Sequence, residues 1–172
     1  GPPNQPHPLS PPGAVANTPD TRMVQWWWQT GTNCPPGVEI EGSSIPAGTF
    51  AAGLSILASN CHIRGLVINR FEAQGIYISH FIGQNQIYGC YIGTDKSGTA
   101  DLGNGMDGIV IVGSPRNFIG NTPFTDCAYR NIISGNGING VRIVGGGSVN
   151  NNLWNNYIGT DVSGFNPIPN DK

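Results

Sequence analysis

Asp95, Asp101, Asp107 and Asp161 are the acidic side chains whose spacing invites chemistry. Carboxylates gathered on one face ligate calcium, a hard cation that takes oxygen donors. Carboxylates paired at acid/base distance cleave glycosidic bonds. Asp101 and Asp107 flank or lie in the segment Lys96–Met106, which reads as a loop inserted after Asp95, so these three residues form the candidate calcium loop. The Asp-x-Asp spacing of calcium loops is missing from it. Asp95 and Asp161 occupy equivalent places in two copies of Ile-Gly-Thr-Asp-x-Ser-Gly, where Asp and Ser commonly hydrogen-bond their own backbone and make a turn. No Asp-Asp doublet or Asp-His pair is present, and His7, His62 and His80 are isolated. No catalytic residue is assigned, and calcium is the one cofactor for which candidates exist.

A second group of residues with chemical potential is the run Trp26-Trp27-Trp28. It has three readings: a sugar-stacking platform, a cap over an open hydrophobic end, or a packing surface for a neighbouring subunit. Phe165 joins it as a candidate cap or assembly residue. Of the four cysteines, Cys34, Cys61, Cys90 and Cys127, none forms a Cys-x-x-Cys pair, which argues against a zinc knuckle or a thioredoxin-type site. Four cysteines allow three disulfide pairings, and burial as small hydrophobes is an equal alternative for Cys61 and Cys90.

These residues must be held by some scaffold, and the composition restricts what it is. Only 10% of the 172 residues are charged, against roughly 25% in ordinary soluble domains. There are 26 Gly and 14 Pro, and the net charge is −2. Recurring Ile and Val clusters with so little net charge favour an ordered protein made of many turns over a disordered one. Lys and Arg total eight and are scattered, so there is no electrostatic footprint for nucleic acid. No apolar run reaches membrane-spanning length. The start at Gly1 reads as a processed form or a protease scar.

The texture changes near Val38. Residues 1–37 are Pro-rich and read as an extended arm (1–20) followed by a lead-in or cap segment. Residues 38–172 are repetitive. One motif is Gly followed by alternating aliphatics, at Gly53, Gly75, Gly108 and Gly140. A second, aliphatic-x-Gly/Asn-x-x-Ile, begins at Ile63, Ile87, Ile133 and Leu153. Cys90-Tyr-Ile-Gly-Thr-Asp-Lys-Ser-Gly98 returns as Asn156-Tyr-Ile-Gly-Thr-Asp-Val-Ser-Gly164. The offset between these copies is three times the step from Gly53 to Gly75, so it reads as three turns of one repeat. Three turns would put Asp95 and Asp161 about 14 Å apart at ~4.8 Å per turn. Period-2 alternation within a fixed repeat predicts short parallel strands, one coil per repeat. The chain therefore reads as an all-β, right-handed parallel β-helix (a solenoid) of about five coils of roughly 22 residues, with loop insertions. The glycines would sit where φ turns positive or where backbones approach closely. Asn85, Asn117, Asn131 and Asn151 would stack as an internal hydrogen-bonded ladder.

The strings Ile63-Arg-Gly-Leu-Val-Ile-Asn-Arg-Phe71, the doubled Tyr-Ile-Gly-Thr-Asp-x-Ser-Gly and Arg130-Asn-Ile-Ile-Ser-Gly-Asn-Gly137 resemble bacterial secreted and cell-surface proteins with parallel β-helix repeats, of the pectate-lyase-like superfamily. The resemblance covers residues 38–165. It implies export and a long solenoid, on a fold that hosts lyases, hydrolases, adhesins and proteins without known activity. Lyases on this fold use clustered acidic residues for calcium with a basic residue as proton acceptor.

The last motif is followed only by Phe165-Asn-Pro-Ile-Pro-Asn-Asp-Lys172, with no amphipathic helix to close the stack. An open end exposes strand edges that template further pairing. The expected function is a subunit of an extracellular filament or cell-surface assembly. Copies would stack head to tail, each with its arm on a neighbour. The alternatives are a carbohydrate-binding or adhesive module that recognises surface polysaccharide, a polysaccharide lyase or hydrolase, or a piece of a longer solenoid.

Overall fold

The computed structural model describes residues 34–121 and 127–171. Trp26–Trp28, His7 and the remainder of 1–33 lie outside the described residues.

Short aliphatic runs bounded by glycine become short strands, because β-branched side chains fit a pleated surface and the glycines end each run. The strands are β1 Val38–Glu41, β2 Leu54–Ile56, β3 His62–Arg64, β4 Leu66–Asn69, β5 Ile76–Ile78, β6 Gln86–Tyr88, β7 Tyr91–Ile92, β8 Ile109–Val112, β9 Phe118–Ile119, β10 Ile132–Ile133, β11 Val141–Val144, β12 Asn152–Leu153 and β13 Tyr157–Ile158. Among the described residues the only helix is a single 3-10 turn, Cys127–Tyr129. None is long and apolar enough to cross a membrane.

Three parallel sheets result. The first runs β1-β4-β7-β10-β13, the second β2-β5-β8-β11 and the third β3-β6-β9-β12. The chain visits them in rotation, so each strand pairs with the one three positions on. This arrangement is compatible with a parallel β-helix.

Residues in register stack like on like. Ile68, Ile92, Ile133 and Ile158 form one column. Ile63, Ile87, Ile119 and Leu153 form a second, and Ile56, Ile78, Ile111 and Ile143 a third. These columns meet between the sheets as the core, in which Ile68, Ile87, Ile92, Ile111, Ile119 and Ile133 are fully buried. At ~25 cal/mol per Å² this aliphatic burial is the main stabilising contribution, since the charged side chains are so few.

The register corrects the expected spacing. Tyr91 pairs with Ile132, and Ile132 in turn pairs with Tyr157. The two long motif copies are therefore two pairing steps apart, about 10 Å at strand spacing, and not three. The second motif, aligned by sequence alone, takes Ile133 as its third member, whereas Ile119 is the true partner of Ile87 and Leu153. The insertion carrying the Cys127 turn separates β9 from β10 and hides the match.

Gly53, Gly75, Gly108 and Gly140 each immediately precede a strand of the second sheet. Their role is close approach: a Cβ on Gly53, Gly75 or Gly108 would come within 2.8 Å of the carbonyl oxygen of the next glycine in the stack. That carbonyl accepts the N–H of Leu54, Ile76 and Ile109 in turn. Cys34 and Cys127 form a disulfide, which ties the start of the described chain to the insertion. Cys61 and Cys90 are free thiols.

Candidate functional site

The expected calcium residues are each engaged by the protein itself. Asp95 Oδ1 accepts the N–H groups of Thr99 and Ala100, and Oδ2 accepts the N–H and hydroxyl of Ser97. Burial pushes the Asp95 pKa up, but the Ser97 hydroxyl and the Ala100, Thr99 and Ser97 amides outweigh it and leave the carboxyl below its ordinary range. Asp161 repeats the turn. The Ser163 hydroxyl reaches Oδ1 at 2.5 Å and the Asn166 side chain reaches Oδ2 at 2.7 Å, which lowers its pKa to about 2.

Asp101 accepts the Gly103 N–H at 3.1 Å. Asp107 stands apart from the loop. It is fully buried immediately before β8, accepts Asn139 Nδ2 at 2.7 Å on Oδ1, and takes Arg142 Nε and Nη2 at 2.9 and 2.7 Å on Oδ2. Among the described residues no group of three or more His, Cys, Asp or Glu is placed to hold a metal ion. His62 is exposed on the third sheet, and His80 stacks on Phe81 with ring centroids 4.7 Å apart.

Asparagine organises the corners. Asn85 donates through N and Nδ2 to Asn117 Oδ1, and Asn117 does the same to Asn151 Oδ1, all at 2.8–3.0 Å. Asn131 belongs to a different column, where it accepts the Cys90 N–H and donates to Asn156. A third column runs from Asn104 to Asn136 to Asn170. The sequence expectation lacks that column, although Gly103-Asn-Gly105 and Gly135-Asn-Gly137 announce it. It lacks the Asp107–Arg142 pair too, which joins neighbouring strand segments far apart in the chain.

Towards β1 the column positions are Cys61, Phe71 and Cys90 in place of Asn. Burial pushes the Cys90 thiol up to about 11, partly offset by the Leu66 and Gly65 amides. It is therefore a neutral group at physiological pH. Between Asn side chains each amide donates to the Oδ1 of the next Asn along the chain, while Asn151, Asn156 and Asn170 donate back to the carbonyls of Ser114, Ile119 and Ile133. Among the described residues the ladders end on Asn151, Asn156 and Asn170, beside the last strands.

The last strands carry inward columns that are less covered than those before them. β11, β12 and β13 are the terminal strands of their sheets. Ile143, Leu153 and Ile158 are 39%, 38% and 45% exposed, whereas their register partners Ile111, Ile119 and Ile133 are each at 0%. Phe165 is 90% exposed. Phe165 belongs to the Asp161 turn, which stacks on the Asp95 turn through the Val162 N–H to Gly98 bond.

No family model matches the chain, and neither a curated protein nor a solved structure matches it.

Proposed function

We propose that this chain is a right-handed parallel β-helix of about five coils and that it serves as a structural subunit of an extracellular filament or cell-surface assembly. Copies join end to end, and the arm of each lies on a neighbour. The rotation of the chain through three parallel sheets supports the winding, since crossovers between parallel strands of one sheet are almost always right-handed. The Cys34–Cys127 disulfide supports an oxidising compartment.

One observation carries the end-on reading: Ile143, Leu153 and Ile158 are inward-column side chains left exposed. Covering each of these partly exposed side chains is worth about 1 kcal/mol. The unpaired strand edges add parallel hydrogen bonds, each worth about 1 kcal/mol net. Association costs at least about 4 kcal/mol in lost freedom. The end-on contact alone is therefore weak, and a second contact is needed for a durable filament.

Sedimentation velocity over a rising concentration series tests this. The chain associates into a ladder of sizes, and the pair Ile143→Lys with Ile158→Lys stays monomeric. A wild-type chain that remains monomeric throughout contradicts the end-on reading.

A further inference from the structure

The outer face of the third sheet offers a seat for that second contact. Four corner residues, Asn60, Gln84, Arg116 and Asn150, share a left-handed backbone with φ between 56° and 62°. Two residues further on, His62, Gln86, Phe118 and Asn152 form one register row. Between the rows the chain turns inward to Cys61, Asn85, Asn117 and Asn151, so both rows face out. Together they line a groove of about 430 Å³. Five of its side chains are amides, one is a guanidinium and none is a carboxylate. The Phe118 ring lines it and meets Trp154 edge-on at 6.3 Å, and Tyr88 ends the strand that carries Gln86.

A groove rich in donors and edged by aromatics suits a ligand with many free carbonyls and flat apolar rings. A polyproline-type strand is such a ligand, because it forms no internal hydrogen bonds and its proline rings pack on aromatic faces. The periods agree. One polyproline turn advances about 9.3 Å, and two strand spacings advance about 9.6 Å. Every second strand therefore presents its amide to the same side of the ligand.

The chain contains a sequence of that composition. Pro3-Asn-Gln-Pro6 and Pro8-Leu-Ser-Pro11 each space two prolines three residues apart, the period of a polyproline helix. Residues 1–33 lie outside the described residues, so the arm enters by its sequence and by its point of attachment. Cys34 is bonded to Cys127, and the turn Cys127–Tyr129 brings the Tyr129 ring centroid to 5.5 Å from that of Tyr88 on the third sheet. The arm thus joins the molecule beside this face.

We propose that the groove between the Asn60 row and the His62 row binds the Pro-rich segment 1–13 of this same chain type in polyproline form. The inference rests on the arm contact of the proposed function and is independent of the end-on contact.

The test follows side-chain amide signals of Gln86 and Asn152 in the full-length chain by NMR. Replacing Pro3, Pro6, Pro8 and Pro11 with Ala shifts these signals, and a synthetic peptide of residues 1–13 added to that variant restores them. Phe118→Ala or Gln86→Ala weakens the peptide roughly tenfold, the scale of losing a central aromatic or hydrogen-bonding contact. Ile143→Lys leaves peptide binding unchanged, which separates this result from the end-on contact. A shift that grows with protein concentration places the arm on a neighbour, a constant one places it on its own groove, and both support the assignment. Groove signals indifferent to the proline substitutions and to the peptide overturn it, as does a β-linked glucan hexamer shifting those signals where the peptide does not.

Discussion

In the turn at Asp161 the Ser163 hydroxyl and the Asn166 side chain both donate to one carboxylate and hold its pKa at about 2. An unfolded chain would titrate the same group at about 3.9. The folded value is the lower one, so the turn's stabilisation is complete above about pH 4 and is lost as the pH falls through about 2. Ser163→Ala removes the first of the donors and raises the Asp161 midpoint, read from the carboxyl carbon in an NMR pH titration. A midpoint unchanged by the substitution would show that the hydroxyl is not responsible. Asp107 makes a sharper case, because it is fully buried and its partners sit on the neighbouring strand segment. Asp107→Ala leaves Arg142 and Asn139 without their acceptor and destabilises the fold by about 3 kcal/mol in urea denaturation. A loss under about 1 kcal/mol would mean that water replaces the carboxylate at no cost. The turn role of Asp95 and Asp161 was legible from Asp-x-Ser-Gly alone. The role of Asp107 was not, since its neighbours in sequence say nothing about Arg142.

At the scale of the element, glycine-led aliphatic runs located β2, β5, β8 and β11 to the residue, because each strand starts directly after its glycine. The alternation that defines an inward and an outward face survives even in strands as short as β5 and β6. Insertions hid the rest. The strand β9 is a bare Phe118–Ile119 pair, and the segment with the Cys127 turn stands between it and β10, so the motif is split. The ladders were half legible. A column of Asn recurring before aliphatic pairs is visible, but which column each Asn joins depends on the register. Asn117 sits at the centre of its column, and Asn117→Ala strips the acceptor from two donors of buried Asn85. The expected loss is about 3 kcal/mol, at roughly half of that for each orphaned donor. Thermal unfolding of this variant beside Asn152→Ala, whose side chain lies outside every ladder and donates only to the Asn150 carbonyl, separates the ladder from a general effect of removing an amide. Equal melting temperatures for the two variants would contradict a ladder that stabilises.

At the scale of the molecule, the proposed assembly uses two surfaces. The strands β11, β12 and β13 leave their inward columns partly exposed, and the third sheet carries a donor-rich groove along the stack. An end contact worth a few kcal/mol becomes durable when a tethered segment raises the effective concentration of the second one. The end-on reading starts from the last motif, and the exposure of Ile143, Leu153 and Ile158 is the observation that it rests on. The groove was not anticipated, because its two rows are gathered from Asn60 through Asn152 and only the register aligns them. The proposed end-to-end extension is tested by negative-stain imaging of the purified 172-residue chain at high concentration. Unbranched filaments one solenoid wide are the expected result, absent when Ile143 and Ile158 are both changed to Lys. A field of separate globular particles from the wild-type chain at every concentration would contradict it.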